Sequence, residues 1–107
     1  MITEERILDF IRSFGVDRGS EALHMIEKEA IRDDVPIIRK ESGELLRILL
    51  QIKKPEKILE VGAAIGFSSV FMGENTGKDT KITTIENYPP RIERARANIA
   101  LAGLENK

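Results

Sequence analysis

The chain has 107 residues, is 41% hydrophobic and 33% charged, and carries a formal net charge of −1. That length holds one domain with one modest core, and the composition is that of an ordinary soluble globular protein. The two signs of charge alternate along the chain, which leaves no basic footprint of a dedicated nucleic-acid-binding domain, and the lack of cysteine excludes disulfides, thiolate metal sites and cysteine nucleophiles. The start, Met1-Ile2-Thr3-Glu4-Glu5-Arg6, lacks the basic and apolar regions of a secretory signal, and no apolar run nears the ~20 residues of a membrane span. A cytoplasmic protein without a membrane partner is therefore expected.

Residues 3–14 predict a short amphipathic helix. Thr3 is its candidate cap, Glu4 and Glu5 suit its positive end, Ile7, Leu8, Phe10, Ile11 and Phe14 supply apolar surface, and Gly15 stops it. A second helix is expected from Ser20 to about Arg32, with Leu23, Ile26 and Ala30 on one face. Asp33-Asp34-Val35-Pro36 breaks the pattern, because the residue before a proline is pushed out of the helical region, and Val35-Pro36-Ile37-Ile38 reads as an extended apolar loop. Ser42 is the expected N-cap of a third helix that carries Leu45, Leu46, Leu49, Leu50 and Ile52.

The pattern changes at Pro55. Lys57-Ile58-Leu59-Glu60-Val61 is short, apolar and bounded by proline and glycine, which predicts a buried strand. Gly62 to Gly66 make a small-residue turn, and Phe67 to about Glu74 a helix with Phe67, Val70 and Phe71 toward the strand. Lys81 to Glu86 read as a second, β-branched strand. Pro89-Pro90 then stand where a helix starts, Ile92, Ala95, Ile99 and Ala102 fall at helical spacing, and Gly103 stops it. Three helices followed by β-α-β-α give an α/β chain with a parallel sheet.

A strand that ends in small residues and opens into a helix can cradle a ligand, since missing side chains let it reach the backbone and the helix start offers unpaired N–H groups. Glu86 ends the next strand, 24 positions after Gly62, close to the ~20-residue offset at which an acidic side chain meets ribose hydroxyls. The plainer alternative is that Gly62 and Gly66 only allow close helix–sheet packing and that Glu86 is a solvated strand end. Counting from Gly62, Ala64 and Phe67 occupy the other two glycine positions of a dinucleotide fingerprint, so a nicotinamide-binding domain is the weaker reading. Glu60, at the end of a buried strand, needs a partner, because an unpaired buried carboxylate is costly.

Residues Ile58 to Ser68, ILEVGAAIGFS, followed by Ile82-Thr83-Thr84-Ile85-Glu86, resemble the metal-dependent O-methyltransferases related to the catechol and caffeoyl-CoA methyltransferases. Val35-Pro36-Ile37-Ile38 and the leucine-rich stretch before Pro55 are similar to the bacterial branch, which includes methyltransferases of 5-hydroxyuridine in tRNA. The resemblance runs from about residue 30 to the end. It implies a Rossmann-like fold that begins with N-terminal helices, with residues 1–54 as a helical cap region and 55–107 as the first half of the S-adenosylmethionine-binding domain.

The resemblance also implies roles. Gly62, with Ala63 and Gly66 in the same turn, would lie against the methionine part of S-adenosylmethionine, and Glu60 would fix its amino group. Ser68 would bond its carboxylate, Glu86 the ribose hydroxyls, Ile38 would cover it, and Phe67 stands where relatives have tyrosine. Asn87 completes the set, although Tyr88-Pro89-Pro90 depart from the family pattern and leave the adenine contacts open. The family uses Mg2+ or a similar divalent ion, but its metal ligands and catalytic residues lie on later strands, so no residue here is assigned to catalysis or to metal. A tRNA hydroxyuridine or a small phenolic hydroxyl is the implied acceptor, and a homodimer the implied assembly. The competing view is a non-catalytic module that binds S-adenosylmethionine or another nucleoside, or serves in subunit contacts.

Two parallel strands alone would leave long unpaired edges. The chain is therefore expected to be part of a protein about twice as long, or else to close its edges by pairing between copies.

His24 has no second histidine and is read as structural; Arg91, Arg94 and Arg96 as a solvated helix face; Lys53, Lys54 and Lys57 as a solvated connector; and Asp33-Asp34 as a charged loop.

Overall fold

The computed structural model describes residues 4–13 and 19–107, without the side chains of residues 8 and 11–13. The expected cap Thr3, the apolar Leu8, Ile11 and Phe14 and the stop at Gly15 lie outside this description. Among the described residues five helices and two strands follow in the order α1 Glu5–Ser13, α2 Glu21–Arg32, α3 Lys40–Lys53, β1 Lys57–Val61, α4 Phe67–Glu74, β2 Lys81–Ile85 and α5 Pro89–Leu101.

Local chemistry accounts for most of these boundaries. Ser20 caps α2 by accepting the Leu23 N–H at 3.0 Å, and both its backbone N–H and its hydroxyl are held by Glu74 at the end of α4. At α5, Pro89 occupies the first turn, where a missing N–H costs nothing, and Gly103 follows the helix at φ +73°.

The start of α3 differs from expectation. Arg39 is its N-cap and Ser42 lies inside the helix, because the Gly43 N–H closes the first helical turn onto the Arg39 carbonyl at 2.8 Å. Gly43 is buried, and a Cβ there would stand 3.5 Å from Phe71 and 3.7 Å from Ile38, so this turn packs directly against both side chains. The leucine stripe is also less buried than its spacing suggests. Leu50 faces the interior, whereas Leu45, Leu49 and Ile52 are exposed.

β1 and β2 pair in parallel with Lys57 opposite Lys81 and Val61 opposite Ile85. The core of Leu23, Ile26, Ala30, Ile65, Phe67 and Val70 joins α2, α4 and the turn after β1, and Val35, Ile37, Ile38, Phe71, Ile99, Ala102 and Leu104 pack around it. Ile26 and Val70 are fully buried, each a contribution of about 1.5–3 kcal/mol. Alternation along the strands puts Ile58, Glu60, Ile82 and Thr84 on the more covered face and leaves Leu59, Val61 and Ile85 exposed on the other. β1 is not the deeply buried apolar run that its composition predicts, and β2 shares its half-covered pattern. Their covered face carries a carboxylate and a hydroxyl, and these make the site.

Candidate functional site

The site grows from the end of β1. Gly62 leaves the strand at φ +97°, and its N–H and that of Ala63 both donate to the Ile85 carbonyl, at 2.7 and 3.1 Å. The turn is thereby pinned to the end of β2. Ala63 and Ile65 are buried, so alternate residues of the turn anchor it inward. Ala64 takes φ +48°, a left-handed conformation that costs an alanine about 1–2 kcal/mol.

Glu86, one residue past β2, offsets that cost. Its Oε1 accepts the Ala64 N–H at 2.8 Å and its Oε2 accepts the Tyr88 N–H at 3.2 Å. Hydrogen bonds to an ionised acceptor are among the stronger ones, so the carboxylate stabilises the turn as well as the start of α5. The Ala64 N–H, followed by those of Tyr88 and Asn87, holds the Glu86 carboxyl below the ordinary glutamate range against the opposing effect of burial, and Arg91 adds a smaller push in the same direction. A folded-state value below the unfolded one contributes stability that is present above the ordinary glutamate range and is lost as pH falls through the folded value. The stability difference between the native chain and Glu86→Gln should therefore shrink as pH is lowered from about 5 toward 3 in thermal unfolding. A difference that stays constant over that window would show that Glu86 is not ionised by these contacts.

Glu60 is the second carboxylate. It projects from β1 onto the covered face and meets three hydroxyls. Ser69 Oγ donates to Oε1 at 2.6 Å, Thr84 Oγ1 donates to the same oxygen at 2.7 Å, and Ser68 Oγ donates to Oε2. Thr84 is its register partner on β2, and the two serines lie in the first turn of α4. The partly buried carboxylate thus has its partners, as its removal from water requires.

The two glycines differ. A Cβ on Gly62 would meet nothing within 4 Å, so the backbone there faces open space. A Cβ on Gly66, at φ +92°, would stand 3.3 Å from the Ala95 carbonyl oxygen and 3.4 Å from its Cα. Gly62 is the open cradle, and Gly66 admits the close approach of α5.

Among the remaining expected site residues, Phe67 is buried and its ring stacks on Phe71 with centroids 6.5 Å apart. Ile38 packs beside the same core. Asn87 is exposed and contributes its backbone N–H toward Glu86.

Residues not singled out by the sequence complete the frame. Asn98, buried in α5, donates from Nδ2 to the Ile65 carbonyl at 2.8 Å and to Glu29 at 2.9 Å. A polar residue three positions after Ala95 and beside Ile99, on an otherwise apolar face, is the signal that could have found it. Arg94 is an ion-pair partner of Glu29 on α2 and of Asp33 just past its end, where spacing suggested only a solvated face, and Arg91 lies over the Tyr88 ring at 5.8 Å.

Among the described residues no group of three or more His, Asp or Glu side chains could hold a metal ion, and no helix is long and apolar enough to cross a membrane.

The sequence that builds this turn matches a known protein family. The model of the O-methyltransferase family fits residues 15–107, most of the chain. The chain belongs to the O-methyltransferase family. Its similarity to the catechol O-methyltransferase of Mycobacterium tuberculosis is 28% identity over 67 residues, 63% of this chain and 30% of that protein. With protein-L-isoaspartate O-methyltransferase 2 of Archaeoglobus fulgidus it shares 38% identity over 58 residues, 54% of this chain and 26% of that one.

The fold is that of solved Rossmann-like methyltransferases. The O-methyltransferase TomG of Streptomyces achromogenes, solved with S-adenosylmethionine, superposes at a TM-score of 0.80 with 27% identity over 99% of this chain. An O-methyltransferase of Bacillus cereus, solved with S-adenosylhomocysteine, gives 0.81 at 20% identity, a likeness of fold. The chain spans about half the length of these two structures, 49% and 47%, and under a third of the two curated relatives.

Proposed function

We propose that this chain is the S-adenosylmethionine-binding part of an O-methyltransferase. The observation that carries the proposal is the open backbone at Gly62, set between a strand-end carboxylate on each side, Glu60 and Glu86. The donor set suits the ligand. Glu86 has acceptor capacity beyond the backbone N–H groups it meets and can take ribose hydroxyls, while Glu60 and the first turn of α4 can take the charged groups of an amino-acid tail. When bound, S-adenosylmethionine supplies a sulfonium-borne, electrophilic methyl group. The chain's own contribution is to position it: the pinned turn fixes where a ligand meets the backbone, and the rigid frame of Ile85, Glu86 and Asn98 keeps that turn in place before binding.

The proposed acceptor is a small phenolic hydroxyl. The similarity to the Mycobacterium tuberculosis catechol O-methyltransferase favours it over a tRNA hydroxyuridine, the other acceptor considered. A divalent ion belongs to this proposal only through residues other than those described.

Calorimetric titration with S-adenosylhomocysteine tests the binding. One site per chain is expected, with no heat from NAD. A folded sample that binds NAD, or binds neither, would overturn the assignment. The acceptor is tested separately by supplying labelled S-adenosylmethionine with catechol or with hydroxyuridine-containing tRNA. Label recovered in the tRNA would reject the phenolic reading.

A further inference from the structure

The three hydroxyls on Glu60 are not equivalent. Ser69 is buried, 5% exposed, and Thr84 reaches across from the neighbouring strand, so Oε1 is held from two elements inside the fold. Ser68 is half-buried, sits one residue nearer the start of α4, and alone holds Oε2. A carboxylate accepts about four hydrogen bonds, and three are in use; a hydroxyl has a single hydrogen to donate. While Ser68 donates to Glu60 it cannot donate to a ligand.

We propose that Ser69 and Thr84 are positioning residues that hold Glu60 through Oε1, so that Ser68 can leave Oε2 when the amino-acid end of the cofactor binds. This rests on the proposed cofactor reading. The chemistry that would displace Ser68 is zwitterionic. An ammonium group takes the place of the Ser68 hydroxyl at Oε2, and the freed hydroxyl turns to the carboxylate of the same amino acid, where the N-terminus of α4 favours negative charge. No proton is transferred, and the Ser68 hydroxyl exchanges one carboxylate acceptor for another. Without Ser69 and Thr84, the departure of Ser68 would leave Glu60 free to rotate, and its charge would no longer be aimed.

Two ligands separate this role from a purely structural one. S-adenosylhomocysteine carries the amino-acid tail, and 5′-methylthioadenosine has the same nucleoside without it. Ser69→Ala and Thr84→Val are each expected to weaken S-adenosylhomocysteine binding about three- to tenfold, the scale of one hydrogen bond, and to leave methylthioadenosine binding unchanged. Thr84→Ser, which keeps the hydroxyl, should bind S-adenosylhomocysteine like the native chain. Equal losses for both ligands, or none for S-adenosylhomocysteine, would overturn the positioning role while the cofactor reading stands. Native protein that binds neither ligand would overturn both.

Discussion

Glu86→Ala is expected to weaken S-adenosylhomocysteine binding by about ten- to a hundredfold, the range for losing hydrogen bonds to a charged group. Two losses act together. The ribose hydroxyls lose their ionised acceptor, and the Ala64 N–H loses the oxygen that it meets at 2.8 Å. Since Ala64 sits at φ +48°, a conformation that alanine adopts at a cost, removing its partner also loosens the turn before a ligand arrives. Glu86→Gln keeps one acceptor oxygen and its length, and should fall between Glu86→Ala and the native chain. The ordering is read by calorimetry at neutral pH. Native-like affinity in Glu86→Ala would remove Glu86 from the binding site, whatever its effect on the turn.

Gly66→Ala should destabilise the fold by about 2–5 kcal/mol, the sum of a left-handed alanine and an overpacked contact. The added Cβ would press on the Ala95 backbone at 3.3 and 3.4 Å, and a helix backbone cannot yield as a flexible side-chain end would. Gly62→Ala is the informative comparison, because the backbone angle is nearly the same, +97° against +92°, and nothing lies within 4 Å of the new atom. Only the conformational cost of about 1–2 kcal/mol should appear in its denaturant midpoint. In ligand binding the order should reverse. A methyl group at Gly62 intrudes into the open cradle, so Gly62→Ala should lose more S-adenosylhomocysteine affinity than folded Gly66→Ala does. Equal stability losses in the two variants would contradict the division of roles between the glycines.

The same division shows how far the site could be read from the residues alone. Gly62, Glu60 and Glu86 were legible because each is marked locally: a glycine directly after an apolar strand, and a carboxylate at each strand end. Ser68 was legible only through family resemblance, and its engagement with Glu60 was not foreseen. Ser69 and Thr84 carried no signal, since a serine in a first helical turn and a threonine in a strand are ordinary there. Their meaning comes from the register that sets Thr84 opposite Glu60 and from the helix that folds Ser69 over the same face. Phe67, expected both on the strand-facing side of its helix and near the cofactor, is buried in the core and stacked on Phe71.

Element order, the parallel α/β character, the small-residue turn and its offset from Glu86 were all present in the linear pattern, because hydrophobic period, prolines and glycines act over a few neighbouring residues. The start of α3 was misplaced by three residues, since the helix begins from Arg39 and takes Ser42 and the buried Gly43 inside it. Tertiary structure alone decided that Gly62 is open while Gly66 is filled by α5, that Asn98 holds the turn through Ile65, and that Glu60 is clamped by three hydroxyls. Each of those facts is a contact between elements, and no periodicity along the chain records which distant residue a backbone or a carboxylate will meet.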